Sequence, residues 1–272
     1  MTTSVAVAGA AGRMGREVVR AVAEAEGLAL AAAIDVQQTG ADAGALAGVG
    51  PLGVAIEGDL AAALDRTRPS VLVDFTLPDG VLNNLRIAVE RGVSVVVGTT
   101  GLSAAGLTEI DRAARERCVG VFVAPNFAIG AVLMMQFAAQ AAKYLPDVEI
   151  IELHHEKKLD SPSGTALLTA RRIGEARRAA GVTPNAPPSG LVEKAAGARG
   201  AREETTGDVT IHSVRLPGFV AHQEVIFGGV GQILTLRHDS IDRRSFMPGV
   251  ILAVRKVGSL RGVVVGLENL LD

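Results

Sequence analysis

The residues best suited to chemistry lie in one stretch, Glu152 to Leu167, which reads ELHHEKKLDSPSGTAL. His154 and His155 are two of only five histidines, and Lys158 follows shortly after them. Histidine titrates near neutrality and can move a proton. A lysine ammonium supplies a fixed cation for a carboxylate, or a proton for a carbanion or an imine. This stretch therefore predicts proton transfer beside an anionic substrate.

The second half of the same stretch predicts an anion site. Ser163, Gly164 and Thr165 precede a helical pattern, so their N–H groups and hydroxyls would lie at a helix N-terminus. A solvated charged loop is the alternative for HHEKK, and a simple helix cap is the alternative for SPSGT. The two features side by side favour a cradle for a dicarboxylate. We expect no metal site, because adjacent histidines on a strand point to opposite faces.

A glycine-rich turn near the start of the chain predicts dinucleotide binding. Gly9 to Gly15 reads GAAGRMG and lies between a predicted strand and a predicted helix. Such glycines bring backbone N–H groups close to a pyrophosphate. The spacing is GxxGxxG rather than the commoner GxGxxG, because position 11 is Ala11. The alternative is a purely structural turn.

Asp35 ends the second predicted strand, 20 residues after Gly15. An acid there can bind the ribose hydroxyls of NAD and repel the 2′-phosphate of NADP. The next residue is Val36 rather than a cation, which favours NADH. Arg13 and Arg16 lie in the glycine turn and could accept a 2′-phosphate, so NADPH stays possible. The alternative for Asp35 is a helix cap.

Further candidate ligand residues follow three later predicted strands. Ligands of open α/β sheets bind at the carboxyl ends of the strands. The residues at those ends are Phe75 and Thr76, then Gly98, Thr99 and Thr100, then Ala124, Pro125, Asn126 and Phe127.

The element pattern predicts an α/β protein of two domains. Continuous apolar strands alternate with helices up to about residue 126, which indicates a Rossmann-like parallel sheet covered on both faces. The pattern changes near residue 148, where a strand, a helix and a loop up to residue 207 are followed by three strands without intervening helices, which indicates a smaller α+β domain with a mixed sheet. We predict a dinucleotide domain of residues 1–126, completed by 241–272, and a substrate and oligomerisation domain of residues 127–240.

Composition excludes several classes of protein. The chain has 272 residues, a net charge of −2 and 3% aromatic residues, which argues against nucleic-acid binding. Its single cysteine excludes an internal disulfide and favours the cytoplasm. Residues 119–142 carry no charge and could span a bilayer, but Pro125, Asn126 and two glutamines favour a buried strand and helix.

The stretch at 152–167 resembles the dihydrodipicolinate reductase family of bacterial diaminopimelate and lysine biosynthesis. GAAGRMG, DFTLPDG, VVGTTG, APNFAIG and HSVRLPGFVAHQEVIFG are also similar to that family, in matching order. The resemblance covers most of the chain and is weakest at 36–65 and 182–206.

The resemblance implies roles residue by residue. His154 matches the family's proton donor and acceptor, and Lys158 its proton donor. The substrate-carboxylate site matches His155, Lys158, Ser163, Gly164 and Thr165. The cofactor contacts match Gly9, Ala10, Ala11, Gly12, Arg13, Met14, Asp35, Gly98, Thr99, Thr100, Ala124, Pro125, Asn126 and Phe127. Arg243 is a weaker match to a basic residue at the domain junction.

The activity implied by the resemblance is hydride transfer from NAD(P)H to a cyclic imine dicarboxylate, followed by protonation from Lys158 and His154. The resemblance also implies a homotetramer. Where some family members carry a cation, this chain has Leu77 and Val36, which weakens the case for NADPH. Two other hypotheses remain open: another small imine or semialdehyde reductase, and a dinucleotide sensor without turnover.

Overall fold

The computed structural model describes residues 2–99, 101–185, 200–201 and 209–271. The strands are β1 (Thr3–Ala8), β2 (Leu28–Ile34), β3 (Ile56–Glu57), β4 (Val71–Asp74), β5 (Ser94–Val97), β6 (Gly120–Val123), β7 (Asp147–His154), β8 (Gly200–Ala201), β9 (Thr210–Arg215), β10 (Ala221–Gly229), β11 (Gln232–Ser240) and β12 (Gly262–Val265). The helices are α1 (Arg13–Glu24), α2 (Ala43–Ala47), α3 (Leu60–Thr67), α4 (Pro78–Glu90), α5 (Ala104–Glu116), α6 (Ile129–Ala141), α7 (Gly164–Ala180) and α8 (Met247–Lys256).

The chain divides into two compact units. Unit 1 comprises Met1–Ile129 and Arg243–Asp272, and unit 2 comprises Gly130–Asp242. The sequence predicted divisions after residues 126 and 240, a few residues earlier in each case. Unit 2 is therefore inserted into unit 1 along the chain.

Unit 1 is built on a seven-stranded parallel sheet with the strand order β12-β6-β5-β4-β1-β2-β3. Every residue of β4, β5 and β6 is buried, which explains why these strands read as continuous apolar runs. Side chains of the strands pack against α3, α4 and α5, with Leu64, Leu72 and Leu85 among the buried core. The predicted Rossmann-like parallel sheet is confirmed.

Unit 2 contains a mixed sheet with the order β11-β10-β7-β9-β8. The β7–β9 pair is parallel, whereas the other three pairs are antiparallel. Val148 and Ile150 alternate toward a core that also holds Phe227 and Ile173 of α7. The predicted mixed sheet is confirmed.

Three short elements of unit 1 were not predicted. Helix α2 and strand β3 lie between β2 and α3, where Asp42 caps α2 and also accepts the N–H groups of Leu52 and Gly53. Strand β12 follows α8, in the C-terminal segment after Arg243 whose sequence pattern we interpret as helical, and pairs with β6. The expected strand and helix at 119–142 are β6 and α6. Among the described residues, no helix is long and apolar enough to cross a membrane.

Candidate active site

The glycine turn of unit 1 is tightly closed on itself. Gly9 has φ +79°, a left-handed conformation that favours glycine. A Cβ atom on Gly15 would lie 1.9 Å from the carbonyl oxygen of Gly9, so helix α1 can approach the turn this closely only with glycine there. Gly12 precedes α1 and offers no side-chain cap to its first N–H groups.

The N–H groups of the turn fall into two sets. The first set is bonded within the protein: Gly9 and Ala10 donate to Ile34, Ala11 donates to the Asp35 carboxylate, and Gly12 donates to Gly9. The N–H groups of Arg13, Met14 and Gly15 open α1 and have no partner among the described residues. An anion bound here would therefore meet the start of α1 rather than the N–H groups of residues 9–12.

Asp35 is fixed to the turn. Its Oδ2 accepts the Ala11 N–H at 3.0 Å, and its Oδ1 accepts the Gln37 N–H at 2.9 Å. It caps no helix, since the next helix is capped by Asp42. The side chain of Val36 is 86% exposed beside it. The carboxylate is thus held at the end of β2 by backbone donors.

A second group of residues lies at the carboxyl ends of β4 and β5. The buried Asp74 accepts hydrogen bonds from the N–H and hydroxyl of Thr76, from Asn84 and from Thr99. Burial raises the pKa of Asp74, although these hydrogen bonds act in the opposite direction. The Thr99 hydroxyl also donates to the Thr76 carbonyl at 2.9 Å.

The end of β6 joins the same edge of the sheet. The Ala124 N–H donates to the carbonyl of Val97, the last residue of β5 and the neighbour of Gly98. The ring centroids of Phe75 and Phe127 lie 5.8 Å apart, so the structure brings the residues after β4 and β6 together. The Asn126 side chain accepts the Ala128 N–H at 2.8 Å and so fixes residues 126–128, directly after Pro125. Thr100 lies outside the described residues.

In unit 2, Glu152 is the centre of the predicted catalytic stretch. Its side chain is fully buried, and its Oε2 lies 2.5 Å from His154 Nδ1. Two Arg215 nitrogens contact its two oxygens at 2.8 and 2.7 Å. Burial acts to raise the pKa of Glu152, but hydrogen bonds from His154, Arg215 and Ser213 outweigh it and lower the pKa to about 2. Glu152 is therefore a carboxylate at neutral pH.

The ionised Glu152 determines which His154 nitrogen carries a proton. A carboxylate can only accept hydrogen bonds, so Nδ1 must be the N–H nitrogen. Nε2 is then left to exchange a proton with another group.

Lys158 lies in a turn four residues after His154. Its N–H donates to the His155 carbonyl, and its Nζ forms an ion pair with Asp160 at 2.8 Å. The Lys158 side chain is 23% exposed. Burial acts to raise the pKa of the Asp160 carboxyl, but the hydrogen bond and the charge of Lys158 act to lower it. The pKa of Asp160 is lowered overall.

The start of α7 is only partly available to a ligand. The Ser163 hydroxyl accepts the Ala166 N–H as a cap, and the Ser163 N–H donates to Glu152 at 3.2 Å. That N–H, which we expected to face an anion, is used within the protein. Gly164 is exposed with open space around its Cα, and Thr165 follows it at the first turn of the helix.

Sequence reasoning missed Glu152, Arg215, Asp74 and Asn84. A signal was present for Glu152, because Val148, Ile150 and Glu152 alternate on one face of β7 and the first two are apolar. A charge on a buried face requires a partner. No spacing rule indicates Arg215, which lies 63 residues away on β9.

The residues of unit 1 fit a dinucleotide. Glycines leave room for close approach, three unbonded N–H groups open α1, and a fixed carboxylate follows β2. Within the described part of the chain, no group of three or more His, Cys, Asp or Glu side chains could hold a metal ion.

Comparison with sequence families gives two matches in tandem. Residues 3–127 match the family described as "Dihydrodipicolinate reductase, N-terminus", and residues 130–271 match "Dihydrodipicolinate reductase, C-terminus". The chain is 53% identical over 271 residues to a 4-hydroxy-tetrahydrodipicolinate reductase of Moorella thermoacetica, covering 100% of this chain and 98% of that protein. A reductase of the same name from Geobacillus kaustophilus is 50% identical over 274 residues, covering 100% of both.

Solved structures give a consistent picture. A dipicolinate-bound dihydrodipicolinate reductase from Paenisporosarcina sp. TG-14 has a TM-score of 0.86 and 43% identity, with 100% of both chains covered. An amine dehydrogenase from Mycobacterium smegmatis has a TM-score of 0.63 at 18% identity, covering 97% of this chain and 94% of its own, and shares the fold alone.

Proposed function

The chain belongs to the dihydrodipicolinate reductase family, and we propose that it reduces 4-hydroxy-tetrahydrodipicolinate to tetrahydrodipicolinate with NAD(P)H, in the diaminopimelate route to lysine. The observation that carries this proposal is the arrangement in unit 2. A histidine of defined tautomer, a lysine and the start of a helix follow one another within residues 154–165, as a dicarboxylate imine substrate requires.

Unit 1 supplies the cofactor site. The bound dihydronicotinamide would donate the hydride. The N–H groups of Arg13 and Met14 would hold the pyrophosphate at the positive end of α1. Asp35 would bind the adenosine ribose, and Gly98, Thr99, Thr100 and residues 124–127 would line the remainder of the dinucleotide.

Unit 2 supplies the substrate site. Gly164 and Thr165 at the start of α7 and the Ser163 hydroxyl would bind one carboxylate, because donors and the helix dipole converge there. His155 and the Lys158 ammonium would bind the second carboxylate. The substrate would then compete with Asp160 for Lys158.

Protonation follows from the same residues. Loss of the 4-hydroxyl group as water, together with a ring proton, gives the imine conjugated with a carbon–carbon double bond. Hydride addition to the far carbon of that double bond leaves an enamine, which must gain one proton on carbon. His154 Nε2 and Lys158 Nζ are the two groups that would deliver it. Glu152 accepts the hydrogen bond of the Nδ1–H and so holds the imidazole with Nε2 directed away from the carboxylate.

We further propose that NADH is preferred over NADPH. Asp35 is a carboxylate held at the end of β2, and Val36 provides no cation for a 2′-phosphate. Arg13 is exposed at the turn, which keeps NADPH usable. Arg16 donates from its Nε to the Ala11 carbonyl at 2.8 Å and is less free to turn toward a phosphate.

The test is a coupled assay. The substrate is generated in situ from aspartate semialdehyde and pyruvate by the preceding synthase, and oxidation of NADH and of NADPH is followed by absorbance. Turnover that requires both precursors would support the proposal. Absence of turnover with either nucleotide, despite NADH binding, would contradict it. Replacing Asp35 with Ala should lower the ratio of NADH to NADPH rates by roughly tenfold, since about one charge-assisted contact is lost.

We also propose a cytoplasmic homotetramer. The family resemblance motivates it, and one observation on unit 2 supports it: Ile233 of β11 is 75% exposed on a sheet face that no helix covers among the described residues. Light scattering of the purified protein checks the mass. A monomer at micromolar concentration would contradict the assembly.

A further inference from the structure

We propose that Glu152 and Arg215 form a positioning pair for this reaction, which holds His154, the Lys158 turn and the start of α7 in one arrangement. The proposal rests on the proposed function, because the reaction defines what the pair positions. Neither residue donates to the substrate. Each acts through the groups that do.

The hydrogen bonds of Glu152 leave it no capacity for a ligand. Its Oε1 accepts from Arg215 and from the Ser163 N–H, and its Oε2 accepts from His154 and from Arg215. A carboxylate has about four acceptor positions, and all are used. Because the side chain is also fully buried, Glu152 can act only through its neighbours.

The two terminal nitrogens of Arg215 are fully used as donors. One donates to Glu152 and the Val214 carbonyl, and the other donates to Glu152 and the Asp160 carbonyl at 2.7 Å. Its Nε has no partner among the described residues, and it is buried away from solvent. A substrate carboxylate therefore finds no accessible donor on Arg215, although the residue lies beside the predicted site.

The two residues connect all three working parts of the site. Glu152 contacts His154 and the residue that caps α7. Arg215 contacts the backbone of Asp160, whose side chain pairs with Lys158. Through Arg215, strand β9 thus anchors the loop that connects β7 to α7.

The charge of Glu152 has a chemical consequence for His154. An ionised carboxylate accepts only, so it selects the Nδ1–H tautomer. A glutamine amide of the same shape can either accept from Nδ1 or donate to it. Replacing Glu152 with Gln therefore removes the selection of tautomer while preserving volume.

The experiment compares E152Q and R215K with the wild type. Nitrogen-15 NMR of the histidine rings reports the tautomer, and the His154 signals are identified by their loss in H154Q. The matched control is E149Q, because Glu149 forms a similar pair with His212 between the same two strands, at 2.7 Å and on the exposed surface.

We expect the wild type and E149Q to show the Nδ1–H form and E152Q to show a mixture with the Nε2–H form. In E152Q, kcat should fall by about 10- to 100-fold, as for other partners that orient a working histidine. NADH affinity should stay within twofold, since unit 1 binds the nucleotide. R215K keeps both charges but lacks the two-pronged donor, and should lose about tenfold in kcat with folding intact.

Two results would contradict the proposal that Glu152 and Arg215 position the site. One is an unchanged His154 tautomer in folded E152Q. The other is a loss of kcat in E152Q and R215K that merely tracks a loss of folded protein. If the wild type fails to turn over the substrate, the proposed function fails instead, and the tautomer measurement still decides whether Glu152 orients His154.

Discussion

Replacing Gly15 with Ala is the sharpest test of the cofactor site. The added Cβ would lie 1.9 Å from the Gly9 carbonyl oxygen, 2.7 Å from its carbon and 2.8 Å from the Ala10 Cα. These are backbone atoms, so no side chain can rotate away. The Cβ and the Gly9 oxygen must separate by about 1.5 Å more to reach the 3.4 Å of ordinary contact, and overpacking of this kind costs about 1–3 kcal/mol.

The displacement acts on binding as well as on stability. Gly9 is held by hydrogen bonds to Ile34 and Gly12, which resist the movement. The free N–H groups at the start of α1 would shift relative to the turn, and misplacement by about 1 Å can cost roughly 100-fold. We expect the dissociation constant of NADH to rise by about 10- to 100-fold.

The assay is NADH titration by fluorescence, with thermal unfolding measured in parallel. Gly258→Ala is the matched control, because Gly258 lies in a 3₁₀ turn of unit 1 and nothing lies within 4 Å of an added Cβ. This variant should keep NADH affinity and stability near wild type. Wild-type NADH affinity in Gly15→Ala would refute our account of the turn.

Three further predictions concern the titratable groups. His154→Gln and Lys158→Ala should each lower kcat by about 10²- to 10⁴-fold while NADH affinity stays unchanged, and a parallel loss of affinity would contradict their roles. The lowered pKa of Glu152, about 2 against 4.5, stabilises the folded state by about 3 kcal/mol above pH 4.5, and this is lost as pH falls toward 2. In urea unfolding, the advantage of wild type over E152Q should therefore shrink over that range. The pH dependence of stability expected from Asp74 has the opposite sign. Burial raises the pKa of Asp74, so the stability of wild type relative to Asp74→Asn should decrease as pH rises through that pKa. A pH-independent difference would refute this.

Much of the fold could be predicted because its signals are local. Continuous apolar strands indicate β4, β5 and β6, and Ser103 and Ser163 mark helix starts that the structure caps with those side chains. Strand β12 was missed although its sequence, GVVV, carries a local strand signal of β-branched residues. Its pairing with β6 is what the sequence cannot indicate, because β6 lies far away along the chain.

In the candidate site, too, the local features were predictable and the tertiary contacts were not. His154, Lys158 and Ser163 lie within one short stretch, so their proximity was predictable from spacing. The contacts that orient them depend on tertiary structure, since β9 pairs with β7 in parallel and brings Arg215 opposite His154. The sequence also could not indicate which N–H groups are already bonded within the protein, because Ala11 and Ser163 donate to carboxylates on other elements.

The late position of β12 has a consequence for synthesis on the ribosome. Strand β6 emerges early, but its neighbour at the sheet border follows roughly 140 residues later, which at 5–20 residues per second is a delay of about 7–30 s. During that interval the nascent chain exposes the backbone donors and acceptors of an apolar strand, a template for unwanted pairing. Unit 2 is synthesised entirely within the same interval. Slow translation of residues 130–242 would thus lengthen the period of greatest vulnerability to aggregation.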